Sequence, residues 1–108
     1  MMKKLNYSLA VLLTWPLLGV ASEDADPARG KELAVYCSGC HGEYGIAAIP
    51  SNPNLAGQNK EYLEYAIKAY RDGTRKGGMA VIMRPNVRAL SDQDVRDLAS
   101  YFSGLSGK

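Results

Sequence analysis

The residues most able to do chemistry are Cys37-Ser38-Gly39-Cys40-His41. Two thiols about one helical turn apart can add across the two vinyl groups of one haem. A histidine directly after the second thiol is then held beneath the iron as the proximal ligand. Other uses of the same atoms remain open. In an exported chain Cys37 and Cys40 could form a disulfide. A thioredoxin-like redox pair expects a βαβ setting, which this sequence lacks. Zinc needs four ligands, and with two cysteines and one histidine the chain would have to recruit carboxylates. The adjacent His41 favours haem. His41 is also the only histidine, so no second imidazole can complete the iron's coordination. The sixth ligand is therefore a softer side chain, water, or nothing. Methionine raises the reduction potential and suits electron transfer. Met79 and Met83 are the candidates; either could instead fill a gap in the core, and spacing alone does not choose between them.

Something must deliver this motif to a compartment where haem is attached. Lys3 and Lys4 begin a basic segment, Leu9-Ala10-Val11-Leu12-Leu13 with Leu17-Leu18 forms an apolar stretch, and Gly19-Val20-Ala21 offers small residues at a cleavage site. Residues 1–21 therefore read as a signal peptide, cut after Ala21 or Ser22, and residues 22–108 as one domain. Thr14 and Pro16 interrupt an apolar stretch already short for a membrane span. The expected product is periplasmic and soluble, with no stable membrane insertion after cleavage. Of 13 basic and 11 acidic residues, Lys3 and Lys4 leave with the signal, so the mature balance is 11 against 11. That balance does not indicate a nucleic-acid partner. A domain this small buries a marginal core unless something staples it, and a covalently held haem would do so.

The elements that position the motif are helical. Asp26 caps a helix that opens on Pro27. Gly30, Leu33, Ala34 and Cys37 then share one face, where Gly30 suits a close crossing of two helices. Residues 42–58 read as a loop, carrying Gly45, Pro50, Pro53 and Gly57. A loop of this length suits covering one edge of a haem. A second helix runs over 60–72, with Tyr62, Leu63, Ala66, Ile67 and Tyr70 as its apolar stripe and Gly73 as its stop. Residues 74–89 read as irregular. Ser91 caps the last helix with Asp94 in its first turn; Val95, Leu98, Ala99, Phe102 and Leu105 form its buried stripe, and Gly104 or Gly107 ends it. The expectation is an all-α domain of three to four helices around one haem.

With these motifs in order, the sequence resembles a small class I (monohaem) bacterial cytochrome c, and is similar to one domain of the periplasmic dihaem cytochromes c. The matching blocks are Cys37-Ser38-Gly39-Cys40-His41-Gly42, Pro53-Asn54-Leu55-Ala56-Gly57-Gln58, Tyr62-Leu63 and Tyr70-Arg71-Asp72-Gly73-Thr74-Arg75. They continue through Met83-Arg84-Pro85, Leu90-Ser91-Asp92 and Leu98-Ala99-Ser100-Tyr101-Phe102, so the resemblance spans essentially the whole mature chain. It implies that the axial methionine stands two residues before a proline, which selects Met83 over Met79. It implies too that the Pro53 carbonyl accepts the Nδ1–H of His41, and that Gly30 and Tyr101 meet where the first and last helices cross. No tryptophan stands near the propionates, so no propionate clamp is assigned; Gln58, Arg71 and Arg75 are the candidates.

The function so implied is one-electron transfer between a redox-protein donor and acceptor, on one haem c attached through Cys37 and Cys40, with His41 and Met83 as iron ligands. The chain would act alone as a monomer or as the haem subunit of a periplasmic oxidoreductase. A haem-based sensor or peroxidase is the remaining alternative. No Ser/His/Asp set can form while the one histidine serves iron, and no glycine-rich phosphate loop is present, so the chain reads as a carrier rather than an enzyme. A charge asymmetry could orient docking: residues 60–76 carry five basic and three acidic side chains, residues 22–43 two basic and five acidic.

Overall fold

A computed structural model describes residues 2–6, 8, 10–11 and 24–107. The expected signal peptide over 1–21 falls mostly outside these residues. Among the described residues five helices and no strand are present: α1 (Pro27–Leu33), α2 (Val35–His41), α3 (Lys60–Arg71), α4 (Ala80–Val87) and α5 (Asp92–Ser103). No helix among them is long and apolar enough to cross a membrane.

The first expected helix is two. Asp26 accepts from the N–H groups of Ala28 and Arg29, and Pro27 opens α1 as expected. At Ala34 the chain tightens, with the Cys37 N–H bonding the Ala34 carbonyl three residues back at 2.9 Å. That turn separates α1, which packs on α5, from α2, which carries the cysteines. The α1–α5 crossing is as close as Gly30 allows. A Cβ there would overlap the Asp97 carbonyl oxygen and come within 2.9 Å of the Tyr101 Cβ.

Helix α5 starts on a full capping box. The Ser91 hydroxyl accepts from the Asp94 N–H at 3.0 Å, and the Asp94 carboxylate accepts from the Ser91 N–H at 2.9 Å. Its apolar stripe is the centre of the core, where Leu98, Ala99 and Phe102 pack with Ala34 of the α1–α2 turn and Leu63 of α3. Leu33, Cys37, Leu55, Ile67, Leu90, Tyr101 and Leu105 surround this cluster. The α3 stripe is centred on Leu63; Tyr62, expected in it, is 48% exposed.

The expectation of an irregular stretch over 74–89 is corrected. Residues 80–87 form helix α4, with Pro85 inside it. Proline and the preceding Gly77-Gly78 argue locally against a helix. Burial of Ala80 and Val87, with α4 packed on α3, overrides that local preference.

Two arginines lock the elements together. Arg29 of α1 reaches both Asp94 at 2.5 Å and Asp97 at 2.7 Å on α5. Arg71 at the end of α3 bonds Asp92 at 2.7 Å, Asp72 at 2.8 Å and the Leu90 carbonyl at 3.2 Å. Asp97 is only 1% exposed, and besides Arg29 it accepts from the Asp26 N–H and the Gln93 side chain, each at 2.8 Å. Burial alone would raise its carboxyl; these hydrogen bonds outweigh burial and hold it below the ordinary carboxylate range.

Candidate haem site

Helix α2 is short because its task is local: it spaces Cys37 and Cys40 by one turn and ends on His41. Both cysteines are free thiols, Cys37 half-buried and Cys40 exposed. Cys37 lies against the core cluster. Burial, with a smaller contribution from Cys40, pushes its thiol up to about 11, so it stays protonated at neutral pH. Among the described residues no group of three or more His, Cys, Asp and Glu side chains converges on a metal-sized site, which leaves the zinc alternative without a donor set.

His41 is 6% exposed, and its Nδ1 lies 2.9 Å from the Pro53 carbonyl oxygen. Nδ1–H donates there, so the free lone pair is on Nε2. The neighbouring residue holds the other end of the motif: the Asn52 side-chain amide donates to the Cys40 carbonyl at 2.9 Å. Asn52-Pro53 thus grips Cys40-His41 twice. Pro53 was legible in the sequence through the family resemblance; Asn52 was not, and its only signal is its place beside that proline.

The loop that brings Asn52 and Pro53 back is folded on itself. Gly42 leaves α2 at φ +85°, and any side chain there would overlap the Ile46 carbonyl. The Gly45 carbonyl accepts from Leu55 at 2.8 Å and Ala56 at 3.1 Å. The Asn54 side chain accepts from the Ala47 N–H at 2.8 Å. At the far end the Gly57 N–H reaches the Phe102 carbonyl at 2.9 Å, tying the loop to α5.

Cys37, Cys40, His41 and Pro53 are therefore one construction. Met83 comes from a separate element, half-buried on α4, while Met79 at the N-cap of that helix is 51% exposed. The Met83 N–H bonds the Met79 carbonyl at 3.1 Å, one turn back. Of the propionate candidates, Arg71 is committed to Asp72, Asp92 and Leu90, the Gln58 side chain accepts from the Asn59 N–H at 2.8 Å, and Arg75 lies 4.6 Å over the Tyr70 ring.

The residues present fit a haem. Two unpaired thiols on α2 precede a buried imidazole whose free nitrogen is Nε2. Cys37, about one turn before the imidazole on α2, lies against the apolar core cluster, so a group attached there would meet apolar surface.

Comparison with known proteins agrees. A family model described as Cytochrome c matches residues 27–106. The chain is similar to cytochrome c-554(548) of Halomonas halodenitrificans, 50% identical over 78 residues that cover 72% of this chain and 94% of that protein. It is 40% identical over 102 residues to cytochrome c4 of Pseudomonas aeruginosa, covering 94% of this chain and 48% of that one. The crystal structure of reduced recombinant cytochrome c4 from Pseudomonas stutzeri superposes with a TM-score of 0.67 at 32% identity, over 76% of this chain and 50% of that one. The chain thus spans nearly all of the first relative and about half the length of the cytochromes c4. A fold of five helices around one core, a match over residues 27–106 and these relatives lead to one conclusion: the chain belongs to the cytochrome c family of haem-binding electron carriers.

Proposed function

We propose that this chain carries single electrons in the periplasm on one haem c, attached through Cys37 and Cys40, with His41 Nε2 and Met83 Sδ as the axial ligands. The observation that carries this reading is the buried His41 ring, fixed by its 2.9 Å bond to the Pro53 carbonyl beside two free thiols. When bound, the haem iron supplies a reversible ferric–ferrous couple. Pro53 sets the imidazole tautomer and makes Nε2 a better donor. Placing Met83 on a helix gives its thioether a fixed origin, and a haem held by both His41 and Met83 would be suited to electron transfer and not to binding a substrate. Residues 1–21 would export residues 22–108, and the redox partners would be a protein donor and a protein acceptor.

Mass analysis of the purified, denatured protein should show one haem retained, with the chain beginning near residue 22. Its oxidised form should show the weak far-red band of an Fe–S(Met) bond, and its reduced form should not bind carbon monoxide rapidly. Haem released on denaturation would refute the attachment. Rapid carbon monoxide binding without the far-red band would favour a sensor or peroxidase.

A further inference from the structure

Five of the six arginines divide into two classes. Arg29 and Arg71 each bridge two carboxylates. Arg75, Arg84 and Arg88, with Lys76, enter none of the ion pairs among the described residues, yet all four line one open groove of about 440 Å³. No carboxylate lines that groove. Two of its guanidinium groups are held without a counter-charge. Arg75 lies over the Tyr70 ring, and Arg84 lies 3.1 Å from where a Cβ of Gly73 would be, a position glycine leaves open at φ +75°. The ring contact fixes the Arg75 guanidinium while leaving its N–H donors unspent.

The groove's composition says what fits it. Ala80, Val81 and Pro85 line the groove together with the cations, and Val81 is 76% exposed, so a short apolar strip lies among positive charges. A free oxyanion would use the charges and gain nothing from the apolar strip; a protein surface bearing carboxylates would use both. The groove is also built partly on α4, the helix that carries Met83. Ala80 and Arg84 stand at i and i+4 on that helix, and Arg88 at i+8 is its C-cap.

We infer that the groove between residues 73–77 and α4 is the docking surface for a redox protein with a carboxylate-rich face. The inference rests on the electron-carrier reading and adds to it the place and charge of the partner. The charge asymmetry of residues 60–76 located only part of it: Lys60, Lys68 and Arg71 stand outside the groove, and Arg84 and Arg88 complete it.

The test uses holoprotein on a gold surface coated with a carboxylate-terminated alkanethiol monolayer, a stand-in for an acidic protein face. Adsorption is read by surface plasmon resonance at low and raised ionic strength. The Arg75→Gln/Lys76→Gln/Arg88→Gln variant should bind about tenfold more weakly than the parent and with a shallower salt dependence. A Lys31→Gln/Lys60→Gln/Lys68→Gln variant, with the same net charge, should stay within about twofold of the parent. Visible spectra of both variants check that each holds its haem in the parent state. Equal losses in the two variants would mean that net charge alone acts, and would overturn the docking surface. Release of the parent by millimolar sulfate at fixed ionic strength would make the groove a free oxyanion site, and would overturn it as well. Adsorption does not depend on redox activity. A groove-specific loss without a reversible one-electron couple in solution would therefore refute the carrier reading and not the location of the groove.

Discussion

At the scale of single residues, His41 and the two methionines decide what the iron would do. The 2.9 Å bond from His41 to the Pro53 carbonyl is a property of the protein chain itself, set by a loop folded through Gly42, Gly45 and Asn54. Met83→Ala should abolish the low-spin His/Met spectrum and lower the reduction potential, whereas Met79→Ala should change either only slightly. Visible spectra and potentiometry of the two variants check this, and the reverse result would transfer the ligand to Met79. Asn52→Ala removes the donor to the Cys40 carbonyl and should cost about 1 kcal/mol of holoprotein stability. Denaturant unfolding followed by circular dichroism measures it.

At the scale of elements, the α1–α5 junction holds the α2 motif in place. Gly30→Ala should destabilise by about 1–3 kcal/mol, because a Cβ there meets the Asp97 carbonyl, which is backbone and cannot move aside. Asp97→Ala should cost about 2–4 kcal/mol, since the Asp26 N–H, Arg29 and Gln93 lose their acceptor together. The Asp97 carboxyl is held below its ordinary value, so the stability it contributes is fully present above about pH 4 and is lost as pH falls through the depressed value. Acid unfolding of Asp97→Asn should therefore be less steep than that of the parent. Equal slopes would place the acid sensitivity elsewhere.

The elements also show which signals sequence carries. Caps are written locally: Asp26-Pro27 and Ser91 with Asp94 start α1 and α5 where the residue types require it. The stripe of Val95, Leu98, Ala99 and Phe102 was legible for the same reason, since one helix face needs only its own periodicity. Helix α4 was not, because Gly77-Gly78 and Pro85 speak against it locally while the burial that forms it is supplied by another segment. The buried Asp97 network was equally illegible. Two of its three partners lie 68 and 71 residues away in the chain, and an aspartate on a helix ordinarily faces solvent. At the site, the thiols and imidazole were plain in Cys37-Ser38-Gly39-Cys40-His41, and Pro53 followed from family resemblance, but the second grip by Asn52 required the folded loop.

At the scale of the whole molecule, a core of Ala34, Leu63, Leu98, Ala99 and Phe102 is small for a domain of this length. On the proposed reading, a bound haem would supply apolar surface that this core lacks. A Cys37→Ala/Cys40→Ala protein should unfold at much lower denaturant concentration than the holoprotein, while keeping helix content under mild conditions through the Arg29 and Arg71 clamps. Equal stability of the two forms would show that the protein core suffices by itself.

One-electron transfer at a haem fixed on α2 is tested most directly by a spectroelectrochemical titration of the purified holoprotein. The expected result is a single reversible Nernstian transition with a one-electron slope. The low-spin bands and the far-red Fe–S(Met) band should convert together at one potential in both directions. Hysteresis, a slope other than one electron, or a far-red band absent throughout the oxidised state would contradict an electron carrier with His41 and Met83 on the iron.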